Sequence, residues 1–340
     1  MSKKTHTFLP SDPEFHLFEA VKKHVYETGS IGLNQPDDLN LEFLAGCCVV
    51  TENGIPVGRL AFYNNPELHW NNEKACCVGN FECVNNPEIA EMLFQQAGLW
   101  AKENGFSYVL GPMNGSTWDN YRFSTHHDQP LFLSETFHPL YYNDLFREAG
   151  FEPALHYQSR IERGVTDQHQ KVTDKIHDSG LGAIVVRELD ISRLDEELEK
   201  LFLLVKAAFE RNALYTPISR ETFHHKYAGI IRQLGTRYVL LAEKNGELVG
   251  FVFAFRNHLE TSKKQFIYKT VARKYGKEYA GVGHVVALEV MKRAVEDGME
   301  DAIHAFMIYD ATSTEISGNF NSQPYKTYVL YVKPVGNGKN

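Results

Sequence analysis

Apolar and polar residues alternate through 47–63 and again through 237–255, and in each stretch an Asn-Gly pair, Asn53-Gly54 or Asn245-Gly246, interrupts the alternation. Such a pair between two alternating runs predicts a β-hairpin, because both residues of the tightest turns take positive φ. A second glycine follows four residues after the turn glycine in both cases, Gly58 and Gly250. Each hairpin is followed by a strand-like run, 75–83 or 265–271, and then by apolar residues at helical spacing, near 87–104 and near 282–297. These helices end at Gly105 and Gly298, which lie 51 and 52 residues beyond their turn glycines. Apolar strands at 106–110 and 302–308 come next, and strand-like segments at 155–161 and 327–332 close the two halves. A strand at 183–189 and an amphipathic helix at 195–209 open the second half.

A register kept over six elements predicts two similar domains in tandem, residues 1–165 and 183–335, joined by a polar linker at 166–182. A length of 340 residues with 43% hydrophobic and 23% charged residues suits two globular cores. Neither a signal peptide nor an apolar run long enough for a membrane span is visible, so the chain reads as cytoplasmic, with no membrane partner. A formal net charge of -8 argues against nucleic acid as a partner, since phosphate neutralisation needs Lys and Arg. Cys47, Cys48, Cys76, Cys77 and Cys83 lack metal-ligand spacing and read as buried reduced thiols. His126-His127 and His224-His225 lack the i, i+4 spacing of a zinc pair, so no metal is expected.

Two short signatures add chemistry. In Glu278-Tyr279-Ala280-Gly281-Val282-Gly283, at the start of the second long helix, glycines allow close backbone approach while free N–H groups and the helix dipole face an anion. In the first half, Pro139-Leu140-Tyr141-Tyr142 leads into a helix that stops at Ala149-Gly150-Phe151. With the order hairpin, strand, helix, strand, closing strand, these features resemble the GNAT superfamily of N-acyltransferases. The resemblance implies an α/β (α+β) fold, in which each domain is a mixed, mostly antiparallel sheet flanked by helices and split at its middle to admit acyl-CoA. The superfamily pattern is Gln or Arg, two residues, Gly, one residue, Gly or Ala; Glu278 departs from it. The corresponding segment of the first half, Val84-Asn85-Asn86-Pro87-Glu88-Ile89, has no glycine and reads as plain helix-starting chemistry.

On that resemblance the donor belongs to the second domain. Backbone N–H groups near Val271, Ala272 and Arg273 would hold the thioester carbonyl. Lys274, Tyr279, Ala280, Gly281, Val282, Gly283, His284 and Ser313 would hold the rest of the coenzyme. Asp310 is expected to orient the pantetheine arm or act as base, and Tyr309 or Tyr325 to protonate the leaving thiolate; His304 reads as a core residue. The loop 111–122 gathers Asn114, Ser116, Trp118, Tyr121 and Arg122 at the end of a strand, where ligands of α/β sheets collect. Either it forms the acceptor site, with Arg122 on an acceptor carboxylate, or it is a rigid loop in which Trp118 seals the interface between domains.

The resulting expectation is an acyl-CoA-dependent N-acyltransferase using acetyl-CoA or another acyl-CoA, with acetyl transfer to a small-molecule primary amine and a homodimer as one possible assembly. A non-catalytic acyl-CoA-binding or scaffold protein, and an aminoacyl or long-chain acyl transferase on the same paired fold, are the alternatives.

Overall fold

The structure, a computed structural model, describes residues 2–165, 184–309, 317–318 and 320–336. The expected linker at 166–182 lies outside these residues. The first half contains β1 (Lys3–Phe8), the short helices α1 (Phe15–Ala20), α2 (Lys22–Val25) and α3 (Ile31–Asn34), the hairpin β2 (Leu44–Glu52) and β3 (Ile55–Tyr63), β4 (His69–Trp70), β5 (Glu73–Cys83), α4 (Pro87–Glu103), β6 (Tyr108–Gly111), β7 (Phe123–Ser124), α5 (Tyr142–Glu148) and β8 (Glu152–Arg163). The second contains β9 (Ile184–Glu188), α6 (Leu194–Phe209), α7 (Arg220–Leu234), the hairpin β10 (Val239–Lys244) and β11 (Glu247–Arg256), β12 (Gln265–Arg273), α8 (Val282–Glu296), β13 (Asp301–Ile308) and β14 (Gln323–Pro334).

Both hairpins form as the alternation predicts. Asn53 and Gly54 have φ of 52° and 84°, and Asn245 and Gly246 have 53° and 78°. The second glycine of each hairpin has a packing function. A Cβ on Gly58 would lie 2.8 Å from Ile89 of α4, and one on Gly250 would lie 2.4 Å from Val282 of α8. Each half therefore draws its long helix tightly onto its hairpin at the same place.

The strands make one sheet in the order β1-β2-β3-β5-β6-β14-β8-β13-β12-β11-β10-β9. Among the described residues only β5–β6 and β12–β13 pair in parallel. The closing strands cross between the halves: β14 pairs with β6, placing Tyr331 opposite Gly111, and β8 pairs with β13, placing Ile161 opposite Ile303. β8 and β14 then pair antiparallel with each other along most of their length. The cores follow the same exchange, since Val329 and Tyr331 of β14 join the cluster built by α4 and α5. α6 and α7 cover one face of the second half, and α8 covers the other. All five cysteines are buried and unpaired, and burial pushes the thiols of Cys47, Cys48 and Cys76 up to about 12. Among the described residues no helix is long and apolar enough to cross a membrane.

Candidate functional site

β12 and β13 pair only from Gln265↔Asp301 to Tyr268↔His304. Beyond that point β12 stays with β11 as far as Arg273, while β13 leans toward β8. The gap opens a cavity of about 630 Å³. Val271, Ala272 and Arg273 line it, as does Gly283 in the first turn of α8. Gly281 caps that helix with φ 90°, and its carbonyl accepts from the N–H groups of His284 and Val285 at 2.9 and 3.1 Å. The N–H groups of Val282 and Gly283 lie ahead of these bonds, at the positive end of the helix.

The other expected donor residues lie around this mouth, off the cavity lining. Lys274 pairs with Glu247, and the Tyr279 ring has the Lys244 ammonium 6.0 Å away. Val282 is buried beneath the hairpin, His284 stacks on Phe320 at 6.4 Å, and Ala280 is exposed. Glu278 is exposed too, with its carboxylate folded back beside Gly276. Neither expected acid lines the cavity. Tyr309 is 43% exposed, and the Tyr325 hydroxyl donates to the Pro130 carbonyl at 3.4 Å. Asp310 and Ser313 lie outside the described residues. His304, expected in the core, is buried at the point where the strands part, 3.6 Å from the Glu162 carboxylate, and burial pushes its imidazole down to about 3.

The same notch in the first half is filled by the chain itself. β5 and β6 pair as far as Cys77↔Leu110. After that the Met113 N–H donates to the Val78 carbonyl at 2.8 Å, and Asn114 Oδ1 accepts from the Asn80 N–H at 2.9 Å. A Cβ on Gly79 would come within 2.3 Å of Asn114 Oδ1, so the plug depends on a glycine there. Asn114→Ala is expected to leave the buried Asn80 N–H without a partner. That should lower stability by about 1–3 kcal/mol, read from denaturant unfolding with an unchanged m-value.

The loop 111–122 joins the halves and lines the cavity at once. Asp119 accepts from Asn40 at 2.8 Å, from Ser116 at 3.0 Å and from Lys226 of α7 at 2.6 Å. The Trp118 indole N–H donates to the Thr216 carbonyl at 2.9 Å, and its ring packs against Phe209, Tyr215 and Phe223. Asn114, Trp118, Tyr121 and Arg122, but not Ser116, line the same cavity as Val271–Arg273 and Gly283. Trp118 packs between the halves, as the second reading of the loop expects, and also walls the cavity.

Lining residues absent from the sequence reading include Lys269, Tyr215 and Phe306. Lys269 interrupts the apolar run of β12, a signal available in the sequence. Tyr215, whose buried hydroxyl has no hydrogen-bond partner, and Phe306 enter from segments that no motif marks.

Solved structures share this architecture. A tandem GNAT protein from the clavulanic acid biosynthesis pathway aligns with 99% of this chain and 100% of its own, at 13% identity and a TM-score of 0.56. A GCN5-related N-acetyltransferase from Sphaerobacter thermophilus aligns over 99% and 97% at 14% identity with a TM-score of 0.52. Eis1 from Mycobacterium abscessus aligns over 98% and 74% at 13% identity, also with a TM-score of 0.52. The protein has the tandem GNAT fold that its sequence resembles. No family model matches the chain. A curated protein named bacterial ceramide synthase, from Caulobacter vibrioides, is 24% identical over 183 residues, 53% of this chain and 47% of that protein. The chain thus matches about half the length of that relative.

Proposed function

We propose that this protein is an acyl-CoA-dependent N-acyltransferase whose donor lies along β12, with its phosphates at the mouth of α8, and whose amine acceptor enters the cavity beside residues 111–122. The parting of β12 and β13 beyond Tyr268 and His304 carries this reading, because among the described residues it leaves one side of residues 269–273 free of strand partners next to a glycine-capped helix. The first half has the same strand order, but Met113 and Asn114 bond across the start of its notch and its long helix is capped by Asn86 and not by a glycine, which supports a single donor site. The amine attacks the thioester carbon, the amide C–N bond forms as the C–S bond breaks, and the thiolate takes up a proton. Backbone N–H groups of Val271–Arg273 meet the charge on the carbonyl oxygen, and positioning supplies much of the acceleration. Tyr215 is the hydroxyl best placed to protonate the thiolate. It lines the cavity unpartnered, and burial, with Glu210 nearby, raises its pKa and keeps it protonated.

Acetyl is the simplest group for such an enzyme to transfer. A longer acyl group is the second reading. Two observations favour it: a cavity of about 630 Å³, which is in the range of sites for drug-sized ligands, and a curated relative whose name denotes synthesis of a lipid amide. Calorimetric titration of acetyl-CoA and dodecanoyl-CoA tests both. The wild type is expected to bind at least one of them, and Gly281→Asp/Gly283→Asp to bind at least about tenfold more weakly, a loss of about 1.4 kcal/mol or more. Circular dichroism checks that the variant is folded. Tighter binding of dodecanoyl-CoA selects the second reading, and no binding of either to the wild type removes the proposal.

A further inference from the structure

Among the described residues, the carboxylates that line the cavity are already engaged. Asp37 pairs with Arg59 and accepts from Asn80, Glu82 accepts from the Tyr142 hydroxyl at 2.6 Å, Asp119 holds Lys226, and Glu135 holds Lys326 at 2.7 Å. Two cations on the same wall have no such partner. The Arg122 guanidinium lies 4.0 Å from the centre of the Phe306 ring and 4.1 Å from that of Tyr121, with Tyr157 and Tyr328 at 5.3 and 5.9 Å. Its Nη1 is buried and makes no hydrogen bond among the described residues. The Lys269 ammonium sits over the same Phe306 ring at 4.3 Å, and among the described residues no carboxylate lies within ion-pair distance of it. Burial, with Arg122 and Lys226 nearby, pushes Lys269 down to about 7.

Aromatic faces stabilise each cation, but two cations against one ring repel, and a buried guanidinium N–H without an acceptor is destabilising. The backbone carries strain at the same point: Arg122 has φ 75°, held by its N–H on the Pro112 carbonyl at 3.0 Å. Strain in a non-glycine residue persists where the surroundings fix it, and such positions cluster at ligand sites. Donor phosphates do not account for these cations. Lys269 is four residues before Arg273, about 13 Å along an extended strand, and points away from the α8 face that its neighbour Tyr268 packs on through a 2.7 Å bond to the Ala287 carbonyl.

We infer that Arg122 and Lys269 together form a subsite for an anionic group, carboxylate or phosphate, carried by the amine acceptor. This rests on the acyltransferase reading only in calling the ligand an acceptor; the anion site itself follows from the two unpaired cations. A planar carboxylate or a phosphate suits the guanidinium fork, and one oxygen left over suits the ammonium. An amino acid or an amino-alcohol phosphate would thus be preferred over a neutral amine.

Product-like ligands test the subsite without turnover or donor. N-dodecanoylglycine, its carboxamide and N-dodecanoyl-ethanolamine phosphate would be titrated calorimetrically into the full chain. At least one anion is expected to bind the wild type about tenfold or more tightly than the neutral amide, and the better anion identifies the natural group. Lys269→Met, which keeps the packing on Phe306, and Arg122→Gln are each expected to shrink that preference at least about threefold while leaving amide binding within about twofold. Equal binding of all three by the wild type, no binding of any, or a preference that survives both substitutions would overturn the subsite. Anion preference without acyl-CoA binding would keep the subsite and remove the acyltransferase reading.

Discussion

Residues 1–165 expressed alone are expected to give an aggregating chain without a cooperative unfolding transition, whereas co-expression with residues 184–340 as a second chain should yield a soluble complex of the two. The expectation follows from the exchange of closing strands. β8 has β14 and β13 as its neighbours, both supplied by the second half, and the outer side of β6 is paired with β14. Cutting the chain between the halves therefore leaves twelve residues of β8 and one edge of β6 with unpaired N–H and C=O groups. It also removes Val329 and Tyr331 from the cluster that α4 and α5 cover. A cooperative transition from 1–165 alone, seen by circular dichroism during urea unfolding, would mean that β8 can pair directly with β6 and that the crossing is dispensable.

Lys326→Met is expected to destabilise the chain by about 3–5 kcal/mol, because it strands a buried carboxylate. The Lys326 side chain is 0% exposed and Glu135 3%, with their charged atoms 2.7 Å apart. Burial pushes the Glu135 carboxyl up, and the ammonium pulls it back toward its ordinary range. Removing the lysine forces the acid to take up a proton or admit water. Lys326→Met/Glu135→Leu, which removes both charges and keeps the volume, should recover most of the loss. Denaturant midpoints for the two single and the double variants decide the matter, and additive effects would show that the pair is uncoupled.

Much of the first-order organisation was readable along the chain. The Asn-Gly turns set positive φ at both hairpin tips, and the spacing of Gly58 and Gly250 mirrors a packing need that recurs in both halves. Gly281 and Gly283 of the 278–283 segment marked the start of a helix whose first turn lines the cavity, and the loop 111–122 was singled out by its density of polar and aromatic groups. Tyr309 and Tyr325 were expected as acids only on the resemblance; in the structure Tyr309 is 43% exposed and Tyr325 packs beside Phe132 and donates to the Pro130 carbonyl. With seventeen tyrosines in the chain, type and order do not tell which hydroxyl loses its partner inside a cavity.

What the sequence alone determined is local: turn chemistry, strand alternation and helix ends depend on residues within a few positions of one another. Tertiary structure decided the rest, because its causes are distant in the chain. The backbone groups of a strand edge accept any neighbour of suitable length, so the crossing of β8 and β14 rests on how the two halves meet as bodies. The first notch is bridged by Asn114, whose side chain binds the Asn80 N–H from 34 residues away in the chain. Arg122 and Lys269 share one ring, that of Phe306, only after the halves have packed.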